Sequence, residues 1–92
     1  AGYDNDASSL YWLDMYGAMS KVKFGAHGYA ANFILSVFDR DFKDGLDVAG
    51  CVKVIKNCIH ELKTRFLINQ PEFMIKVVDK DGIRVLSLQD FE

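Results

Sequence analysis

The chain has 92 residues, half of them hydrophobic, and a formal net charge of -2 at pH 7. A chain of this length forms at most one compact domain, and the composition is typical of a folded protein. Nucleic acids and anionic membranes are bound by a clustered cationic field, so the charge argues against both as partners.

The strands at the start of the chain are apolar on both faces. We predict a strand tail at Ala1–Tyr3, a turn over residues 4–9 and a second strand over Leu10–Met15. In the second strand, residues 11, 13 and 15 share one face and residues 10, 12 and 14 the other, and both faces are largely apolar. Such a strand is typical of the inside of a layered structure.

A glycine turn then leads into the first helix. Residues 16–23 are predicted as a connection and Val22–His27 as a short strand or turn. Gly25 and Gly28 permit a positive φ or a close backbone approach. Apolar residues at 30, 33, 34, 37 and 38 recur at helical spacing, which predicts a buried helix over Gly28–Phe42.

The second helix carries the clearest apolar stripe of the chain. Lys43, Asp44 and Gly45 separate the helices, and apolar residues at 48, 52, 55, 59, 62 and 66 predict a helix over Leu46–Phe66. Asp47 suits a helix N-terminus, where an acid is favourable. The opposite face is predicted to lie in water and consists of Lys53, Lys56, Asn57, His60 and Lys63.

Two further strands follow, over Phe73–Val77 and Ile83–Leu88, with turn chemistry at Asp79–Gly82. The order of strand, strand, helix, helix, strand, strand indicates an α+β fold. The helix pair can cover only one face of a sheet, so we interpret the chain as half of a layered domain or a protomer that a neighbour completes.

Cys51 and Cys58 are interpreted as small core residues. Seven residues apart on one helix, they lie about 10 Å apart along its axis and cannot form a disulfide with one another. Without a disulfide framework the chain suits a reducing compartment, so we expect the cytoplasm or the nucleus. No apolar run has the length of a transmembrane helix, and the acidic first residues argue against a secretory signal.

No residue set predicts a metal, a cofactor or a catalytic centre. The aspartates at 39, 41, 44 and 47 fail the calcium-loop spacing, which needs ligands or glycine where Lys43, Asp44 and Gly50 stand. His27, His60 and the two cysteines lack zinc-site spacing. A nucleophilic pair of cysteine and histidine is disfavoured because a thiol within an apolar stripe has a raised pKa.

Several segments together resemble one family, the β subunits of the proteasome. Residues 26–31, Ala-His-Gly-Tyr-Ala-Ala, precede an aliphatic run that ends in Asp39 and Arg40, and this resembles the type-2 class apart from Ala30 and Phe38. Residues 1–4, 10–16, 58–71 and 79–83 resemble successive segments of the same subunits. The match corresponds to the C-terminal half of a subunit.

The resemblance implies a four-layer αββα sandwich of the N-terminal nucleophile hydrolase type. Residues 1–92 would form the C-terminal half of a single β-subunit domain. Active members use a threonine from the N-terminal half, and they carry a serine, an aspartate and a serine where this chain has Tyr29, Leu62 and Arg65. The resemblance therefore implies a non-catalytic subunit.

The implied role is architectural, within the 20S core particle and its ubiquitin-dependent and general intracellular protein degradation. Expected partners are β subunits of the same and the opposing ring and the α ring. Candidate contacts between rings are Asp39, Arg40, Asp41, Lys53, Lys56 and His60. Two alternatives stay open: an active threonine hydrolase whose catalytic half lies upstream, and a free-standing interaction module.

Overall fold

The first two strands form a tight hairpin. A computed structural model of the chain describes residues 1–65 and 73–86. Strand β1 (Gly2–Asp4) pairs antiparallel with β2 (Ala7–Ser9). The turn residues Asn5 and Asp6 have φ values of 52° and 61°, and a type I′ hairpin turn requires positive values at both positions. Asparagine and aspartate tolerate such values. The prediction of a turn over all of residues 4–9 was wrong, because only two residues are needed to reverse the chain.

A second hairpin joins β3 (Tyr11–Leu13) to β4 (Met19–Lys21). Strand β3 lies within the predicted strand, whereas β4 lies in the segment predicted as a connection. The Asp14 carboxylate accepts the backbone N–H groups of Tyr16 and Ala18 at 2.9 and 3.0 Å and so organises the reversal. Residues 22–27 contain no strand, and after a bend they lead to the first helix.

Helix α1 (Ala31–Asp41) begins three residues later than predicted. Gly28 has a φ of 107°, outside the helical region, and its carbonyl accepts the N–H of Ala31 at 3.2 Å. Residues 28–30 are therefore a turn that precedes the helix. The helix ends one residue before the predicted Phe42, whose backbone is extended.

Helix α2 (Val48–Arg65) begins with the cap that the acidic residue before it indicated. The Asp47 carboxylate accepts the N–H of Gly50 at 2.8 Å, so this residue is the N-cap and Leu46, the predicted first residue, lies outside the helix. Gly45, with a φ of 82°, stands in the turn between the helices. The predicted end at Phe66 lies outside the described residues.

The last hairpin consists of β5 (Ile75–Asp79) and β6 (Gly82–Leu86). The predicted turn is confirmed, with Gly82 at a φ of 103° and the Asp79 carboxylate accepting the N–H of Asp81 at 2.9 Å. Strand β5 begins and ends two residues later than predicted, because its pairing continues to the turn itself. The predicted end of β6 at Leu88 lies outside the described residues.

The core lies where the two helices meet β5. Its buried apolar side chains are Val37 from α1, Val52, Val54, Cys58 and Ile59 from α2, and Ile75 from β5. The predicted stripe of α2 is confirmed at positions 52 and 59. Val54 is off that stripe, and it lines a mainly apolar cavity together with Phe38 of α1 and Phe42.

The strands in the described part of the chain form three separate two-stranded sheets, with β1 lying beside β5. The mixture of helices and strands confirms an α+β structure, and the four-layer sandwich stays a prediction. Much of the sheet surface is open. The large apolar side chains exposed on the last two hairpins and the β3–β4 turn are Tyr11, Leu13, Met15, Tyr16, Met19, Ile83 and Val85.

Candidate interaction surface

A bridge of polar side chains joins the end of α1 to the middle of α2. Arg40 donates from Nε and Nη2 to the two carboxylate oxygens of Asp41 at 2.9 and 3.1 Å. Asn57 on α2 donates from Nδ2 to Oδ2 of the same carboxylate at 3.2 Å. The half-buried carboxylate thus accepts donors from both helices, which sets the end of α1 against α2.

The charges of this bridge hold one another ionised. The hydrogen bond from Arg40 is the main reason that the pKa of the Asp41 carboxyl lies below its ordinary value, and the Asn57 amide lowers it further. The same hydrogen bond raises the pKa of Arg40, and Glu61 raises it too. On α2, Glu61 Oε2 also pairs with Arg65 Nε at 2.7 Å. This side of the helix pair is therefore electrically balanced.

The flank of α2 that faces away from this bridge is basic. Lys53, Lys56, His60 and Lys63 follow one another at spacings of three, four and three residues, so they share one side of the helix. Lys56 is half-buried and the others are exposed. Within the part of the chain that the structure describes, none of the four side chains makes a hydrogen bond or an ion pair.

The six residues predicted as contacts between rings fall into three groups. Arg40 and Asp41 belong to the bridge, and the predicted α2 residues Lys53, Lys56 and His60 belong to the basic flank. Asp39 is exposed, and two positions along a helix turn it about 200° from the carboxylate that meets α2. It therefore lies on the far side of α1, and the six residues form no single cluster.

Asn57 was predicted to lie in water, but it makes a contact between the two helices. It lies among charged residues on a face that was predicted to be solvated. Its partner is 16 residues away, so no helical spacing relates the two. An uncharged amide within a row of lysines was the only signal, and it does not identify a partner.

The glycine turn before α1 packs against β3. The rings of His27 and Trp12 stack with centroids 4.0 Å apart and planes inclined by 35°. A Cβ atom on Gly25 would lie 2.8 Å from Cε3 of Trp12, closer than real side chains approach. The sequence left a positive φ or a close backbone approach open for both glycines, and the structure shows the close approach at Gly25 and the positive φ at Gly28.

The three positions that the resemblance singles out lie in different surroundings. Tyr29 is 87% exposed in the turn before α1. Leu62 is half-buried and lines a mainly apolar cavity of about 240 Å³, together with His27 and Cys58. Arg65 pairs with Glu61, as described above. Burial raises the pKa of the Cys58 thiol, which disfavours the nucleophilic thiolate in that cavity.

No cation site is visible among residues 1–65 and 73–86, where no three potential ligands converge. Asp44 instead pairs with Lys23 at 3.0 Å, while Asp47 caps α2. Both cysteines are free, with Cys51 exposed and Cys58 buried. A membrane-crossing helix is likewise not found in these described ranges, since neither helix combines the required length and hydrophobicity.

Comparisons with known proteins agree in pointing to a single family. A family model described as "Proteasome subunit" matches residues 1–78. The chain is 42% identical over 85 residues to "Proteasome subunit beta type-2-B" of Arabidopsis thaliana, covering 91% of the chain and 43% of that protein. It is 40% identical over 90 residues to "Proteasome subunit beta type-2" of Dictyostelium discoideum, covering 94% and 45% respectively.

A third relative, "Probable proteasome subunit beta type-4" of Schizosaccharomyces pombe, is 39% identical over 90 residues, covering 96% of the chain and 46% of that protein. The chain thus spans less than half the length of these relatives.

Proposed function

Since the chain belongs to the proteasome subunit family, we propose that it acts as a non-catalytic, structural β subunit of the type-2 class in the 20S core particle. In this role it helps to build the β ring and the proteolytic chamber. Its relatives named as β type-2 support the class. The work of the particle would then be the ubiquitin-dependent and general degradation of intracellular proteins.

The observation that carries an architectural role is the contrast between a packed helix pair and open sheet faces. Leu13 is 60% exposed, Met15 87% and Ile83 72%, although each is a large apolar side chain. Leu13 also pairs across the hairpin with the exposed Met19, and neighbouring exposed apolar side chains of this kind mark contact with further protein. The proposal assigns these faces to the interior of a four-layer sandwich, of which residues 1–92 form the C-terminal half.

The non-catalytic assignment rests on the three positions named from the resemblance. In place of a serine the turn carries the bulky phenol of Tyr29, and in place of an aspartate α2 carries the apolar Leu62. Arg65 stands where a serine is expected, and its guanidinium is held by Glu61. None of these side chains supplies the small hydroxyl or carboxylate that would orient a threonine nucleophile.

Contacts between rings are assigned to the helix pair. The proposed residues are those of the sequence analysis: Asp39, Arg40, Asp41, Lys53, Lys56 and His60. Five of the six are exposed or lie on the basic flank, and Asp41 orients Arg40 while it bonds to α2. The proposed partners are β subunits of the same and the opposing ring and the α ring, in the cytoplasm and the nucleus.

Purification of the tagged, natively expressed polypeptide tests this function. We expect native mass spectrometry to find it in a particle with α and β subunits, and fluorescence imaging to find it in both compartments. A covalent probe for N-terminal threonines should label other β subunits of the particle and leave this polypeptide unlabelled. Recovery of the polypeptide outside any such particle would refute the structural role, and labelling would refute the non-catalytic one.

A further inference from the structure

We propose that Asp44, in the turn between α1 and α2, is a modification site at which the chain converts its own aspartate to isoaspartate. This chemistry needs an aspartate whose following peptide nitrogen is accessible, and a following glycine leaves that nitrogen most accessible because it has no side chain. Two aspartates of the chain stand directly before a glycine, Asp44 before Gly45 and Asp81 before Gly82.

The conversion at Asp44 balances without a cofactor or an oxidant. The backbone nitrogen of Gly45 attacks Cγ of the neutral carboxyl group, a C–N bond forms, and the carboxyl hydroxyl leaves as water with the amide proton. Water then opens the cyclic imide at either carbonyl. Opening at the side-chain carbonyl restores aspartate. Opening at the backbone carbonyl leaves the main chain running through Cβ and Cγ, so the turn gains one main-chain atom and Cα keeps a free carboxylate.

The surroundings of Asp44 and Gly45 leave room for this ring closure. Both residues are exposed, and the Asp44 side chain keeps 76% of its surface accessible. Gly45 has a φ of 82°, and beyond its chain neighbours no atom lies within 4 Å of the place that a Cβ would take. Within residues 1–65 and 73–86, no acceptor takes the Gly45 N–H. The nitrogen can therefore reach Cγ without breaking a backbone hydrogen bond to those residues.

The second pair, Asp81 and Gly82, provides a matched comparison within the same chain. A lysine precedes and a branched apolar residue follows both pairs. Asp81 and Gly82 are also exposed, and the space around Gly82 is equally open. Gly82, however, begins β6 and pairs with Asp79, whose carboxylate also accepts the N–H of Asp81. These contacts hold the peptide that has to move for ring closure, so this site should react more slowly.

An ion pair from outside the turn restrains the Asp44 side chain. Nζ of Lys23 lies 3.0 Å from Oδ1 and 3.1 Å from Oδ2 of this carboxylate. Both side chains are mostly exposed, and ion pairs of this kind contribute little to stability. The ammonium group therefore holds the carboxylate in one orientation only weakly, which slows the attack by the Gly45 nitrogen without preventing it.

Ageing of the natively purified, tagged polypeptide, together with any subunits that it carries, tests the inference. After incubation at physiological temperature and pH, electron-transfer fragmentation in a mass spectrometer distinguishes isoaspartate from aspartate at each position. We expect isoaspartate to accumulate about fivefold faster or more at Asp44 than at Asp81, because a backbone hydrogen bond has to open first in the hairpin. Cleavage before Asp44 by a protease specific for aspartate should decline in parallel.

Three variants separate the causes. Asp44→Glu keeps a carboxylate but would have to close a larger, less favourable ring, so it should abolish the modification in the turn and leave Asp81 unchanged. Lys23→Gln should raise the rate at Asp44 about twofold, because the ion pair no longer holds the carboxylate. Lys21→Gln, at an exposed lysine of β4, is the matched control and should leave the rate unchanged.

The outcomes are distinct. Absence of isoaspartate at Asp44, or equal accumulation at Asp44 and Asp81, overturns the modification site. Isoaspartate at Asp44 with the same rate in Lys23→Gln as in the wild type overturns the part assigned to the ion pair. None of these results depends on whether the polypeptide is recovered in a particle, so the proposed function is tested separately.

Discussion

The helix pair and the hairpins differ in how far each satisfies itself. The two helices bury Val37, Val52 and Cys58 to an exposure of 5% or less, whereas the β3–β4 hairpin leaves Leu13 and Met19 more than half exposed. A helix makes its backbone hydrogen bonds within itself and needs a partner only for one stripe. A two-stranded hairpin leaves backbone groups unpaired at both of its outer edges, so the hairpins are the part to which the proposed role assigns contact with further protein.

Introducing a charge into each region should reveal the largest difference in stability between the helix pair and the hairpins. Val52 is 2% exposed, so Val52→Asp should destabilise the chain by about 3 kcal/mol or more, because an unpaired carboxylate would be buried. Leu13→Asp, at a side chain that is 60% exposed, should change the free energy of unfolding by less than about 0.5 kcal/mol. Urea unfolding followed by circular dichroism measures both. Equal losses would mean that the hairpin is as well packed as the helices.

The glycine turn tests a place where a hairpin is packed tightly. Gly25→Ala sets a methyl group against Trp12 and should cost about 1–3 kcal/mol while separating the indole from His27. Gly2→Ala is the matched control, since no atom lies within 4 Å of its added methyl group. The chain has one tryptophan, so its fluorescence reports the change directly. An unchanged emission spectrum in Gly25→Ala would contradict the close packing.

Removal of the α2 cap probes how much of the helix pair depends on local structure. Asp47→Ala leaves the Gly50 N–H without its acceptor and should destabilise α2 by about 1 kcal/mol. Asp47→Asn keeps an acceptor oxygen and should retain most of that stability. Ellipticity at 222 nm and the urea midpoint give the comparison. A midpoint in Asp47→Ala equal to that of the wild type would show that packing alone sets the start of the helix.

The smallest expected effect is on stability at acidic pH, and it depends on one carboxylate in each region, Asp41 and Asp79. The pKa of Asp41 is lowered chiefly by Arg40, and that of Asp79 chiefly by Arg84. Because both values are lower in the folded state, the stability that they contribute is present above the ordinary carboxyl pKa near 4 and is lost as the pH falls below it.

Titration followed by carbon NMR measures these values. Arg40→Gln should raise the pKa of Asp41 more than Asn57→Ala does, because the arginine hydrogen bond is the larger cause. Arg84→Gln should raise the pKa of Asp79 and leave the pKa of Asp41 unchanged. A larger shift from Asn57→Ala than from Arg40→Gln would reverse the assigned roles within the bridge.

Sequence patterns predicted the helices better than the strands, and the reason is physical. The 18 residues of α2 repeat one apolar stripe, so an error of one or two residues at either end leaves the prediction of a helix unchanged. Strands β1–β4 have three residues each, too few for alternation to be distinguished from chance. Strand β4 was missed because its pairing depends on a turn that Asp14 organises, which is a contact between a side chain and the backbone rather than a period.

The candidate surface was predictable only in part for the same reason. Lys53, Lys56 and His60 share a flank because helical geometry alone relates them. The bridge between Asp41 and Asn57 joins two helices, and only their packing brings these side chains together. Asp39 was grouped with its neighbours along the chain, although the rotation of a helix sends consecutive residues in different directions.

By itself, the sequence determined the α+β composition, the apolar stripes, the cap of α2, the turn before β6 and the family resemblance. Each of these depends on residues close together along the chain, where local geometry relates one position to the next. Tertiary structure decided that Val54 shares a cavity with Phe38 of α1, that Asn57 bonds to Asp41 and that the basic flank forms no ion pair with the other residues that the structure describes. Those facts depend on how separate elements meet, and burial and charge pairing at such contacts are properties of the assembled chain.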